Sequence, residues 1–225
     1  GSGPGADNRP YTDFDLKNCT NGNCERRAAY LSAASTLLVA DLQDMVDTWA
    51  ANGEARAAVT SDAKAGIVAI VQGLGSLSYG ELAGERMKLG LMLHDPEEEH
   101  DCFADNTHNS HFYNQIGMMA IYNGRYVRID GTVVEGVSLA RHLSETNPKI
   151  AAKILMAMAT TYDRLYDMKM AADERRMAYD QMLAEGNAVG NKMMQDAINA
   201  LVVQAKSFEA AMVPLGITSL SFEGS

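Results

Sequence analysis

The stretch "SDAKAGIVAIVQGLGSLSYGELAGERMKLGLMLHD", residues 61–95, decides the fold. Its apolar and small residues recur at helical spacing, and the run is long enough to cross a bundle. Polar residues interrupt it well short of the roughly 18 to 20 apolar residues that a bilayer span needs. The glycines in its interior each cost about 1 kcal/mol relative to alanine in a helix, so they predict close helix contact or local breaks. Pro96 should end the helix, because proline disfavours helix at the residue before it and supplies no backbone donor.

Working outward, "ERRAAYLSAASTLLVADLQDMVDTWA" from Glu25 places Leu31, Leu38, Leu42, Met45 and Trp49 near one stripe, which predicts an amphipathic helix. On the other side, "NTHNSHFYNQIGMMAIYNG" reads as a shorter helix starting at an Asn106 or Thr107 cap and stopping at Gly124. "RYVRIDGTVVEG" carries Asp130-Gly131 between two β-prone runs, which predicts a hairpin near residues 125–135. Two long amphipathic helices follow, "NPKIAAKILMAMATTYDRLYDMK" and "NAVGNKMMQDAINALVVQAKSFEAAMV", bridged by the shorter "RRMAYDQMLAEG". The expected class is all-α: a bundle of about four long helices plus short ones, with one small β-hairpin. Residues 1–24 read as an N-terminal loop segment and 25–225 as the helical-bundle domain. The many methionines read as core filling.

A chain of 225 residues with net charge −10 has no basic cluster suited to a phosphate backbone, so nucleic acid is not an expected partner. Nor is a transmembrane segment expected. The chain opens without an apolar targeting region, so any signal is expected to lie outside it. Cys19 and Cys24 flank an Asn-Gly turn in "CTNGNC", and a disulfide is favoured there over two free thiols or half of a metal knuckle. It would contribute about 2 kcal/mol on the chain-entropy model and points to an oxidising compartment. Cys102 would then be unpaired.

Two segments carry candidate chemistry. In "GELAGERM", Glu81 and Glu85 are four apart, so on an α-helix they share a face, with Arg86 one step round. Arginine beside a carboxylate keeps it ionised, suited to holding a cation. In "HDPEEEHDCFADNTHNSH", residues 94–111, His108 and His111 are three apart, and Glu99, His100, Asp101 and Asp105 lie just before them. Imidazole and carboxylate together suit iron or zinc, with spare carboxylates to orient the rings. The strict patterns, His-Glu-x-x-His and paired Cys-x-x-Cys, are missing. Residues alone leave a salt-bridged bundle face and a capping loop as alternatives.

"GSLSYGELAGERM" (75–87), "HDPEEEHDCFADNTH" (94–108) and "YNGRY" (122–126) together resemble the imelysin-like family of bacterial iron-regulated proteins, most closely the branch called iron-regulated protein A. The likeness extends to "RPYTDF", "CTNGNCERRAAYL" and the terminal "LSFEGS". It implies a helical protein of the periplasm or outer membrane that takes part in iron uptake, in a family also classed, from an insulin-cleaving member, among metallopeptidases. It further implies a ligand pocket that includes Glu81, Glu85, Arg86 and Asp105, and a metal site using Glu99 and His100, with His108 and His111 behind them. The family's Gly-x-His-x-x-Glu motif lies in a first half that this chain does not match. His94 to Glu97 and His142 to Glu145 have Met92 and Ala140 where the glycine belongs. The resemblance therefore implies a partner, either the N-terminal imelysin half or a second copy, together with iron-uptake components. A peptidase site is not expected to be complete in this chain alone, and a non-catalytic helical interaction module is a further reading.

Overall fold

The run from Ala63 to Leu93 is helical throughout, but its hydrogen bonding changes twice. In the computed structural model, which describes residues 10–217, α3 (Ala63–Ser76) passes into a π-helix over Leu77–Lys88 and then into α4 (Leu89–Leu93). A π-helix bonds i to i+5, as the Leu89 N–H does to the Gly84 carbonyl, and such segments usually last a single turn. Here it persists for 12 residues, with Ser78, Leu82, Ala83 and Met87 buried and the segment packed on α9 (Ala188–Met212). The glycine-linked break is thus a change of helical register and not an interruption of the helix.

The described residues fall into two units that divide between Ile67 and Val68, inside α3. The sequence placed its boundary after Cys24, where loop gives way to helix. In the first of the two units, α1 (Cys24–Thr48) buries only Cys24. Leu31, Leu38, Leu42, Met45 and Trp49 are each more than half exposed. Ahead of α1, a 3-10 turn at Tyr11–Phe14 buries Asp13, whose carboxylate accepts from Thr20 Oγ1 at 2.6 Å and Asn21 Nδ2 at 2.7 Å. Cys19 and Cys24 are joined by a disulfide. A short α2 (Glu54–Thr60) follows.

From Val68 on, the π-helix, α5 (Thr107–Asn123), α7 (Pro148–Asp173) and α9 (Ala188–Met212) make the core, with α6 (Leu139–Thr146) and α8 (Tyr179–Leu183) as short connections. On α7, Ile154, Ala157, Met158, Thr161, Leu165 and Met168 are buried, the one-face spacing of an amphipathic helix. Met87, Met118, Met158, Met168, Met182 and Met194 are at most 1% exposed, so methionine does fill this core. Pro148 opens α7, Asn187 caps α9 by accepting from the Gly190 N–H at 3.0 Å, and Gly124 ends α5 at φ +58°. β1 (Arg125–Val127) pairs antiparallel with β2 (Val133–Glu135) around Asp130-Gly131, with both strands exposed. Among the described residues no helix is long and apolar enough to cross a membrane.

One polar network lies within this core. Gln115 and Gln204 exchange amide hydrogen bonds at 2.8 and 3.0 Å. Gln115 Nε2 also donates to the Met158 carbonyl, and Gln204 Nε2 to Ser78 Oγ at 3.1 Å. Ser78 in turn donates to the Leu201 carbonyl at 2.8 Å. All three side chains are fully buried. Removing one partner leaves a buried amide unsatisfied, at about 1–3 kcal/mol, whereas removing both with apolar groups is far cheaper. Gln115→Leu and Gln204→Leu should each destabilise the fold by that amount, and the double variant by clearly less than the sum. Denaturant unfolding of the four chains measures the coupling; additive costs would show that the pair is not a unit.

Candidate functional site

The polar loop after α4 is partly explained by local geometry. His94 ends α4 at φ 52° and its Nδ1–H donates to the Leu183 carbonyl at 2.6 Å. Asp95 then caps a 3-10 turn at Pro96–Glu98, accepting from the Glu97 N–H at 2.9 Å, so His94 and Glu97 are not helix neighbours. A second turn, Cys102–Ala104, ends at Asp105, which sits at φ 48° and is exposed. Cys102 is a free, half-buried thiol.

Glu99 behaves differently from these capping acids. Its carboxylate is buried and accepts from Thr107 Oγ1 at 3.0 Å, while Thr107 itself accepts from the Asp101 N–H at 3.1 Å. Ser110, one turn along α5, donates to Asp101. Burial pushes the Glu99 carboxyl up to about 7 against the opposing Thr107 hydrogen bond, with the charges of Asp180 and Asp105 adding to the rise.

His108 and His111 both point into the protein. His108 Nε2 lies 3.2 Å from Asp173 Oδ1 and 3.1 Å from the Asn109 amide. Asp173 is also paired with Lys169, which holds its carboxyl below the usual range. His111 Nε2 lies 3.2 Å from the Tyr179 hydroxyl, and the two rings meet edge to face at 5.4 Å. The Nδ1 atoms of both histidines are buried without a hydrogen-bond partner among the described residues. Burial lowers His111 to about 3, helped by the Arg86 charge and by His100, so it is a neutral imidazole. Tyr179 is held in its protonated form by burial and by the nearby Glu99 charge. Buried imidazole nitrogens usually have partners, so two orphans on one helix need an explanation.

The π-helix re-pairs the other candidate set. Arg86 Nη2 meets Glu81 Oε2 at 2.5 Å, an i, i+5 pairing that α-helical spacing does not provide, and Glu85 is exposed. The Glu81–Glu85 face expected from α-helical spacing is therefore replaced by a Glu81–Arg86 face, because each π turn takes in an extra residue. Arg86 is close enough to His111 to affect its ionisation; His100 is exposed, with its ring 6.4 Å from that of His111. Asp105 and Glu85 lie at the surface, while Glu99, His108 and His111 are interior. Among the described residues, no three His, Cys, Asp or Glu side chains converge so as to hold a metal ion. Asp173 and Tyr179 had no sequence signal, since they reach α5 only through packing; Thr107 read only as a cap.

Opposite stability trends follow from the two buried titrating groups. Glu99, raised from 4.5 to about 7, favours the fold fully below pH 4.5, and that contribution is lost as pH rises through about 7. His111, lowered from 6.5 to about 3, favours the fold above pH 6.5, and its contribution is lost as pH falls towards 3. Glu99→Gln should therefore melt higher than the parent chain above pH 7, by the equivalent of about 1–3 kcal/mol. The difference should shrink towards pH 4.5, and the acid-side loss should remain. Thermal melts across pH 4–8 read this directly; a constant offset at all pH values would contradict it.

The model of the family described as Imelysin, peptidase family M75, matches residues 2–208 of the chain. No curated protein matches it. A match across nearly the whole sequence places the π-helix and the histidine loop within one family unit, and the chain belongs to the imelysin family.

Proposed function

We propose that this chain is the metal- or ligand-binding bundle of an imelysin-family protein that serves bacterial iron uptake, in the periplasm or at the outer membrane. The carrying observation is the pair of buried imidazoles whose Nδ1 atoms lack partners among the described residues while Asp173 and Tyr179 engage the other nitrogens. A partner that accepts one ring N–H orients the imidazole and leaves the second nitrogen its lone pair, the usual arrangement behind a metal-bound histidine. If Nε2–H of His108 donates to Asp173, Nδ1 carries the lone pair. His108 and His111 would hold iron or zinc, which would supply a positive centre for anionic oxygen ligands.

Two donors are fewer than the three protein ligands of a catalytic zinc site, so the remaining ligands would come from the bound species or from a partner. This favours binding over hydrolysis, which also needs a held water and a general base. The disulfide between Cys19 and Cys24 supports an oxidising compartment.

Titration calorimetry with Zn2+ and Fe2+ tests the reading. The parent chain should bind one ion, His108→Ala and His111→Ala should abolish binding, and Asp173→Asn should weaken it by about tenfold to hundredfold. Binding indifferent to all three substitutions would move the site elsewhere. Chelator-sensitive cleavage of casein or insulin by this chain would instead favour the metallopeptidase reading.

A further inference from the structure

α7 and α9 leave an open groove of about 710 Å3 between them, and its lining residues have the spacing of a helix-docking face. Lys149, Ala152, Lys153, Met156 and Arg164 follow one stripe of α7, with Asp196 and Val203 opposite on α9. Met156 and Val203 are 71% and 53% exposed, so the apolar floor faces water. Two of the bordering charges are spoken for: Arg164 pairs with Asp167 at 3.5 Å and Asp196 with Lys192 at 2.7 Å. Lys149 and Lys153 form no ion pair among the described residues, on a chain of net charge −10. An apolar groove with unpaired cations along one edge suits an amphipathic helix with an acidic flank.

α1 has that composition. Leu38, Leu42, Met45 and Trp49 repeat at helical spacing, and all are more than half exposed. Asp41 and Asp44 follow one side of the stripe, and no Lys, Arg or His occurs between Arg27 and Arg56. At about 1.5 Å per residue, the stripe from Leu31 to Trp49 is about 27 Å long and the groove from Lys149 to Arg164 about 22 Å, so the lengths match to within a helical turn.

We propose that α1 of a second copy lies in the α7/α9 groove, its leucine stripe on Met156 and Val203 and its Asp41 and Asp44 against Lys149 and Lys153. The contact covers an exposed apolar stripe on one copy and an apolar groove on the other, and the charges set its orientation. Each copy carries both the stripe and the groove, and exchange in both directions would be the isologous pairing of a two-fold dimer.

Sedimentation velocity on the full chain over a concentration series tests this. The parent should self-associate. Lys149→Glu with Lys153→Glu should weaken association by about tenfold or more, as should Asp41→Lys with Asp44→Lys; the four changes in one chain should restore it. Met156→Glu should weaken association without altering any of these charges. All five positions are exposed, and circular dichroism checks that each variant is folded. A parent chain monomeric throughout would overturn the proposal. So would association indifferent to the charge reversals, or a combined variant that fails to recover, since either would place the contact on other surfaces.

Discussion

The reciprocal amide pair of Gln115 and Gln204 is the constraint on which the core depends. A buried amide tolerates no axial slip, because a shift of even part of a turn would strand donors and acceptors in a medium that offers no water. By bonding Ser78 as well as Gln115, Gln204 ties the π-helix and α5 to α9, and the Met158 carbonyl brings in α7. Apolar packing alone would accept several registers of these methionine- and alanine-rich helices. The glutamines select one.

That register sets up the candidate site. His111 and His108 lie one and two turns before Gln115 on the same buried face of α5, followed beyond it by Met118 and Tyr122. Fixing Gln115 therefore fixes where both imidazoles enter the interior, opposite Asp173 at the end of α7 and Tyr179 at the start of α8. The π-helix works in the same direction. Its extra residue per turn brings Arg86 onto Glu81 and gives the arginine's charge a bearing on His111. Burial then leaves that ring neutral and Glu99 reluctant to ionise, so the interior cluster carries little of the chain's excess negative charge.

The two units differ in how far they satisfy their own apolar surface. From Val68 onward, helices bury one face and the core is closed by methionine, alanine and leucine. α1 is as amphipathic in sequence, yet its stripe is exposed. Amphipathicity records that a face is to be covered and does not name the cover.

The sequence by itself determined the long helices, several of their ends and the hairpin. These depend on short-range chemistry: apolar residues at helical spacing in α7 and α9, the Asn106 start and Gly124 stop of α5, and the Asp130-Gly131 turn. It also drew attention to the stretch from Glu99 to His111, because unusual composition is visible in one dimension. Tertiary structure decided which of the candidate residues are buried. Asp105, His100 and Glu85 are exposed, while Glu99, His108 and His111 are buried. The switch from i+4 to i+5 bonding was not legible, since glycines allow a break without specifying its form and packing against α9 accompanies the result. Asp173 and Tyr179 lie 65 and 68 residues from the histidines they touch. No local pattern encodes such a pairing, which exists only because buried polar contacts hold the helices in one register.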